Sequence, residues 1–201
     1  VFDQGLPVEA PDLSAFLVIQ MDTLAEVARR LGRRAEAERW QARADDLLQT
    51  LIAELWNGEQ FVTRRSVSLE VTGIDSLFNY LPILLGRRLP PDIQAKMVAG
   101  LRRFITAHGL ATENPTSPEY DPDGYWRGPI WAPPTMMIVY GLNALGERAM
   151  AVDISRKFCE MIRRSGMAEN FDALTGAGLR DGAYTWTSSV FVILAHEFLQ
   201  D

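Results

Sequence analysis

The sequence predicts an all-α fold whose helices alternate between two concentric layers, an α/α toroid, and three observations lead there. Helical periodicity dominates the chain. Successive helices switch between segments with almost no charge and segments with one charged face. The long irregular segments each fall just ahead of a charge-poor helix. A helix apolar on all sides is enclosed on all sides, while an amphipathic one covers a surface. A plain bundle would make its helices amphipathic alike, so alternation in chain order points to an inner layer wrapped by an outer one.

The elements follow in order. After a loop-like start, VFDQGLPVEAPD, Asp12 is a plausible N-cap, and Leu13, Leu17, Met21, Leu24, Ala28 and Leu31 recur at spacings of three and four until Gly32. A second helix runs from Arg34 to Trp56, with Ala37, Trp40, Ala44, Leu47, Leu51 and Leu55 on one stripe. Asn57-Gly58 ends it, and GEQFVTR reads as a short extended piece. The third helix covers Ile74 to Leu85 and contains Pro82, a kink or early stop. Pro90-Pro91 open the fourth, which ends near His108-Gly109. ATENPTSPEYDPDGYWRG is too rich in Pro, Asp, Asn and Gly to be an element. Helices from Pro133 to Leu145, Glu147 to Arg164 and Thr187 to Leu199 complete the chain, with GMAENFDALTGAGLRDGAYTW between the last two. IDSLFNYLPILL, PPTMMIVYGLNAL and TSSVFVILA are the inner-type helices. Both long loops precede one of these, which places them on one rim of the toroid, within reach of a ligand.

Composition narrows the function classes. The 201 residues are 47% hydrophobic and 23% charged, with a net charge of −6, enough chain for a single domain over residues 1–201 with a sizeable core. That charge argues against a nucleic-acid or anionic-membrane partner, both of which need clustered positive charge. Arg29, Arg30, Arg33 and Arg34 are interleaved with Glu26, Glu36 and Glu38 and read as a solvated face. Cys159, the only cysteine, sits in the helical stretch KFCEMI and reads as core filler. No metal-ligand spacing, phosphate loop or dinucleotide fingerprint is present, and His108 and His196 read as a helix cap and a helix-face residue. GAGLRDG follows no strand and reads as a turn. No signal-peptide order is visible, so the expected compartment is the cytoplasm; the start without methionine gives the expectation of a piece of a longer chain.

Two loops carry chemistry. GYWRGPIW, from Gly124 to Trp131, concentrates Tyr125, Trp126, Trp131 and Arg127 in eight residues. Sugar rings present C–H faces that stack on such aromatics, and hydroxyls that suit Arg and carboxylates. Arg127 can donate to ligand hydroxyls or hold a carboxylate ionised. The same segment also suits a helix-entry loop that plugs its own core while Arg127 pairs with an acid. In the second loop, Glu169 and Asp172 are carboxylates in a rim position, where one can act as general base and activate a water. Capping or solvated carboxylates are the structural alternative, as for Asp12 and Asp75.

Four segments occur in order: PDLSAFLV (Pro11–Val18), YWRGPIW (Tyr125–Trp131), ENFDALTGAG (Glu169–Gly178) and YTWTSS (Tyr184–Ser189). Together they resemble the C-terminal part of the catalytic domain of glycoside hydrolase family 63, over nearly the whole chain. The resemblance implies an (α/α)6 barrel, here incomplete with about seven of its twelve helices, and an inverting α-glycosidase acting on a small α-glucoside or related sugar. By motif position it implies Glu169 as general base. Trp126 and Arg127 line the sugar pocket and Trp186 lies near the base, with Tyr125 and Trp131 as further substrate-binding positions. The family's general acid lies in a segment resembling SGWDNSPR, upstream of a stretch like VFDQG; Asp3 lacks its neighbours and does not inherit the role. The expectation is a fragment without its acid, inactive alone, that associates with the missing half or self-associates over uncovered apolar faces. No organic cofactor and no metal are implied. A non-catalytic sugar-binding module, or another chemistry on the same toroid, remains the alternative reading of the residues.

Overall fold

The computed structural model describes residues 7–200, so Asp3 lies outside the described residues. Six α-helices form: α1 (Pro11–Arg30), α2 (Arg34–Leu55), α3 (Pro91–Leu101), α4 (Ala132–Ala144), α5 (Arg148–Ser165) and α6 (Thr185–Phe198). Two 3-10 segments, Leu77–Arg88 and Arg102–Phe104, and four two-residue strands accompany them: β1 (Val8–Glu9), β2 (Arg64–Arg65), β3 (Asn170–Phe171) and β4 (Gly178–Leu179). β1 pairs antiparallel with β2, and β3 with β4.

The packing order gives two layers. α1, the Leu77–Arg88 segment, α4 and α6 are successive neighbours, and α2, α3 and α5 lie against them. Leu77, Leu81 and Ile83 from the 3-10 segment meet Ile138, Val139 and Leu142 of α4 in the core, all at 1% exposure or less. The close approach depends on Gly141, where a Cβ would sit 2.5 Å from Ile83 Cγ2. α2 packs through Ala37, Ala44, Leu51 and Leu55 of the expected stripe, with Leu48 buried beside them and Trp40 and Leu47 only half-buried.

Three expectations need correction. Asp12 is not the N-cap of α1. Ala10 holds that position, and Asp12 sits in the first turn, its carboxyl raised above the ordinary value chiefly by burial. Most of the α1 stripe is not its buried face: Leu13, Leu17, Leu24 and Leu31 are exposed, while Ala28 of the stripe is buried together with Ala15, Val18 and Ala25. The third inner element is a 3-10 segment, because Pro82 lacks the N–H an α-helix needs and Gly86 breaks the helix at φ 54°. Ser76, whose side chain accepts from Phe78 N, caps it, and Asp75 instead binds Arg103 at 2.8 Å. The fold is mostly helical as expected, with short backbone ladders running through the loops.

The charged face reads as expected, with Arg29 and Arg30 paired to Glu26 and Arg33 to Glu36. Cys159 lies in the core, and burial pushes its thiol up to about 11. Among the described residues no helix is long and apolar enough to cross a membrane.

Candidate active site

The site is framed by backbone. Ser76 bridges Glu113, Ala111 bridges Ile130, Ile130 bridges Phe171, and Phe171 pairs with Gly178. Ile130 and Phe171 exchange both hydrogen bonds, at 2.7 and 3.0 Å. This ladder fastens the YWRG loop to the ENFD loop, so that Tyr125 and Glu169 meet although they are distant in sequence. Glycine at 128 is required by a close approach, because a Cβ there would lie 2.2 Å from the Asp121 carbonyl oxygen.

Tyr125 stands at the centre. Its backbone is left-handed (φ 61°), which turns the ring out of the loop, and its hydroxyl donates to Glu169 Oε1 at 3.0 Å. That hydrogen bond, more than burial or the Glu169 charge, holds the phenol above its ordinary value, so it stays protonated as a donor. Glu169 is half-buried, and its backbone N–H donates to the Asp181 carbonyl at 2.7 Å. With Oε1 held by a neutral donor, Oε2 remains for a water or a ligand hydroxyl.

The tryptophans form a layered wall. Trp126 stacks on Trp131 with centroids 3.9 Å apart and planes 16° apart, and Phe78 meets the Trp126 ring edge-on. Trp131 is 1% exposed, and its Nε1–H donates to the Tyr125 carbonyl at 2.8 Å. It therefore backs the wall, while Trp126 and the half-exposed Trp186 front it. Trp186 lies 6.5 Å from Trp131, and Tyr184 abuts it edge-on at 5.6 Å.

The arginine that sequence singled out has a partner in its own loop and an open side. Arg127 is exposed and pairs with Asp121 at 3.4 Å, within its own loop. Asp172 caps a turn, accepting from the backbone of Leu174 and Thr175. His108 packs against Gly176, where a Cβ would meet its Nδ1 at 2.7 Å, so it wedges the ENFD loop and caps no helix. Sequence reasoning missed Arg180, in the segment read as a plain turn. Its guanidinium lies 5.0 Å over the Tyr125 ring. Among the described residues, no group of three or more His, Cys, Asp and Glu is placed to hold a metal ion.

A half-buried carboxylate, oriented by a phenol and flanked by tryptophan, can take a proton from a water and stack a sugar beside it. Similar proteins are named as mannosylglycerate hydrolases. The mannosylglycerate hydrolase of Thermus thermophilus is 26% identical over 164 residues, covering 77% of this chain and 37% of that protein. A mannosylglycerate hydrolase of Selaginella moellendorffii is 27% identical over 162 residues, 78% of this chain and 32% of its own. Among solved structures, the family 63 mannosylglycerate hydrolase of Thermus thermophilus in complex with Tris and D-glycerate superposes with a TM-score of 0.80 at 27% identity, covering 92% of this chain and 45% of that one. Neutral trehalase from Saccharomyces cerevisiae shares the fold, with a TM-score of 0.78 at 16% identity. The chain spans about a third of the length of these curated relatives. A profile of the mannosylglycerate hydrolase MGH1-like glycoside hydrolase domain matches residues 1–187, and the chain belongs to that family.

Proposed function

We propose that this chain is the base-bearing part of an inverting α-glycosidase built on an (α/α)6 toroid. Its substrate is a small α-linked glycoside of the mannosylglycerate kind, as the names of its relatives imply. The observation that carries the reading is the Tyr125–Glu169 hydrogen bond at 3.0 Å, with the Trp126 ring 5.7 Å from that of Tyr125. Glu169 accepts a proton from water through Oε2 as the water attacks the anomeric carbon. Trp126 and Trp186 stack the sugar's C–H faces, and Arg127, at the open side of the loop, donates to its hydroxyls. The general acid protonates the leaving oxygen as the glycosidic bond breaks, and stands across the sugar, about 6.5–9.5 Å from Glu169, to leave room for that water. It belongs to a segment outside these 201 residues.

The same layout supports a partner for the helical layers. Leu13, Leu17, Leu24, Val27 and Leu31 form an exposed apolar stripe on α1, and α1 is one end of the inner layer. The remaining helices of the toroid cover it, and the chain alone self-associates through it. No cofactor takes part, and the cytoplasm is the proposed compartment.

Glu169→Gln in the longer enzyme should reduce hydrolysis of α-mannosylglycerate by about a hundredfold or more, with the wild type releasing the inverted anomer by NMR. General-base catalysis contributes roughly 10²–10⁴-fold, so a loss below about tenfold removes Glu169 from the role.

A further inference from the structure

We propose that Arg180 is a positioning residue for Glu169 and acts through Tyr125. The inference rests on the reading of Glu169 as the base and names what holds that base in place. Tyr125 is 41% exposed, and its hydroxyl can aim at Glu169 only if the ring is held. The Trp131 ring meets it nearly perpendicular, at 4.9 Å and 87°, and the Arg180 guanidinium covers a face at 5.0 Å. The arginine is itself fixed: Nη1 meets Asp123 Oδ1 at 2.7 Å, and Nη2 donates to the Asp123 carbonyl at 2.9 Å. Nη1 also reaches Asn170 Oδ1, at 3.4 Å, on the residue that follows Glu169. The clamp thus joins the two loops around the Tyr125–Glu169 bond.

The backbone supports the assignment. Among the described residues, the non-glycine positions with left-handed φ are Leu69, Tyr125 and Arg180. Two of those three face each other across a cation–π contact beside the carboxylate. A side chain is held in that region at an energetic cost, and such positions cluster where geometry serves function. At Arg180 (φ 63°) the turn directs the side chain back over the YWRG loop.

The arrangement also has an electrostatic sense. An arginine bonded directly to a carboxylate favours its ionised form and makes it a poorer proton acceptor. Here the cation rests on the ring and a neutral phenol touches Glu169, so the carboxylate is oriented without an ion pair of its own. With one Tyr125 face covered, sugar stacking falls to Trp126 and Trp186.

A double-mutant cycle in the longer enzyme tests this, with kcat and KM measured separately. Tyr125→Phe should lower kcat about tenfold, by loss of one oriented hydrogen bond at the base. Arg180→Met, which keeps the side-chain stem, should lower kcat about fivefold with KM changed less than about twofold, the scale of one cation–π contact. Arg180→Lys should recover more than half of that loss. In the Tyr125→Phe background, Arg180→Met should cost less than about twofold, because the bond it serves is already gone. Full multiplication of the two losses, a loss confined to KM, or no loss at Arg180 would overturn the clamp. Glu169→Gln measured alongside separates the two ideas. If it abolishes hydrolysis while Arg180→Met has no effect, only the clamp fails; if it leaves hydrolysis intact, the base reading fails and the clamp with it.

Discussion

In the middle of the inner layer, Leu77, Leu81 and Ile83 meet Ile138, Val139 and Leu142 with 1% exposure or less. At its two ends the same class of residue faces water: Leu13 and Leu31 on α1 and Val192 on α6 are each 63% exposed. Both regions are helical and apolar, so the contrast lies in what stands beside them. The central elements have a neighbour on each side within the chain, whereas α1 and α6 each end the array. α1 shows the consequence in one helix. Its small residues, Ala15, Val18, Ala25 and Ala28, are the buried ones, while its larger leucines point away. An apolar face records a need for cover without recording where the cover comes from.

The comparison can be broken or sharpened by substitution. In the centre, Ile138→Ala should cost about 2–5 kcal/mol in urea unfolding, since a fully buried aliphatic chain leaves a cavity. Gly141→Ala should cost about 1–3 kcal/mol by pushing α4 off Ile83. Either variant unfolding at the parental midpoint would mean that the centre is not the core.

Glu113 sits where the layer meets the rim, 1% exposed, and bridges Ser76. Burial, the main cause, raises its carboxyl above the ordinary 4.5, partly offset by the Ser117 hydroxyl and the Asp75 backbone. The folded state therefore holds this proton more tightly than the unfolded one, and the stabilisation is lost as pH rises from 4.5 through the folded value. Glu113→Gln has no proton to lose, so its Tm relative to the parent should climb from pH 4.5 towards neutrality. A difference that stays flat with pH would contradict the assignment. At the edge, Leu13→Glu with Leu31→Glu should change stability by no more than about 0.5 kcal/mol each, as for exposed sites. The pair should still reduce self-association of the 201-residue chain in sedimentation. A destabilisation as large as that of Ile138→Ala would show the edge already covered.

The helices were legible because each carries a period and a stop: α4, α5 and α6 begin within two residues of the expected starts. The aromatic cluster was legible as composition, since few structural roles need Tyr125, Trp126 and Trp131 so close together. Depth within the cluster was not. Nothing in the segment YWRGPIW says that Trp131 turns inward to reach the Tyr125 carbonyl while Trp126 fronts it. The arginines were legible only in part, for a related reason. Arg127 lies within the motif, yet its loop folds it onto Asp121, while Arg180 reaches Tyr125 through a left-handed backbone that a sequence does not announce. The α1 stripe was visible as a period but ambiguous as a direction, because both of its faces are apolar.

The ladder from Ser76 through Glu113, Ala111, Ile130 and Phe171 to Gly178 separates two kinds of inheritance in this rim. Its contacts are peptide to peptide, so they survive exchange of the side chains that project from it, apart from glycines such as Gly128 where no side chain fits. Trp126, Trp186 and Tyr184 can then change identity while the Glu169 carboxylate stays at its station. Lengthening the chain between two rungs is a different kind of change, since it shifts register and moves Glu169 away from Tyr125. The projecting side chains of this scaffold are free to drift by substitution, and the frame that holds the Tyr125–Glu169 pair resists change by insertion.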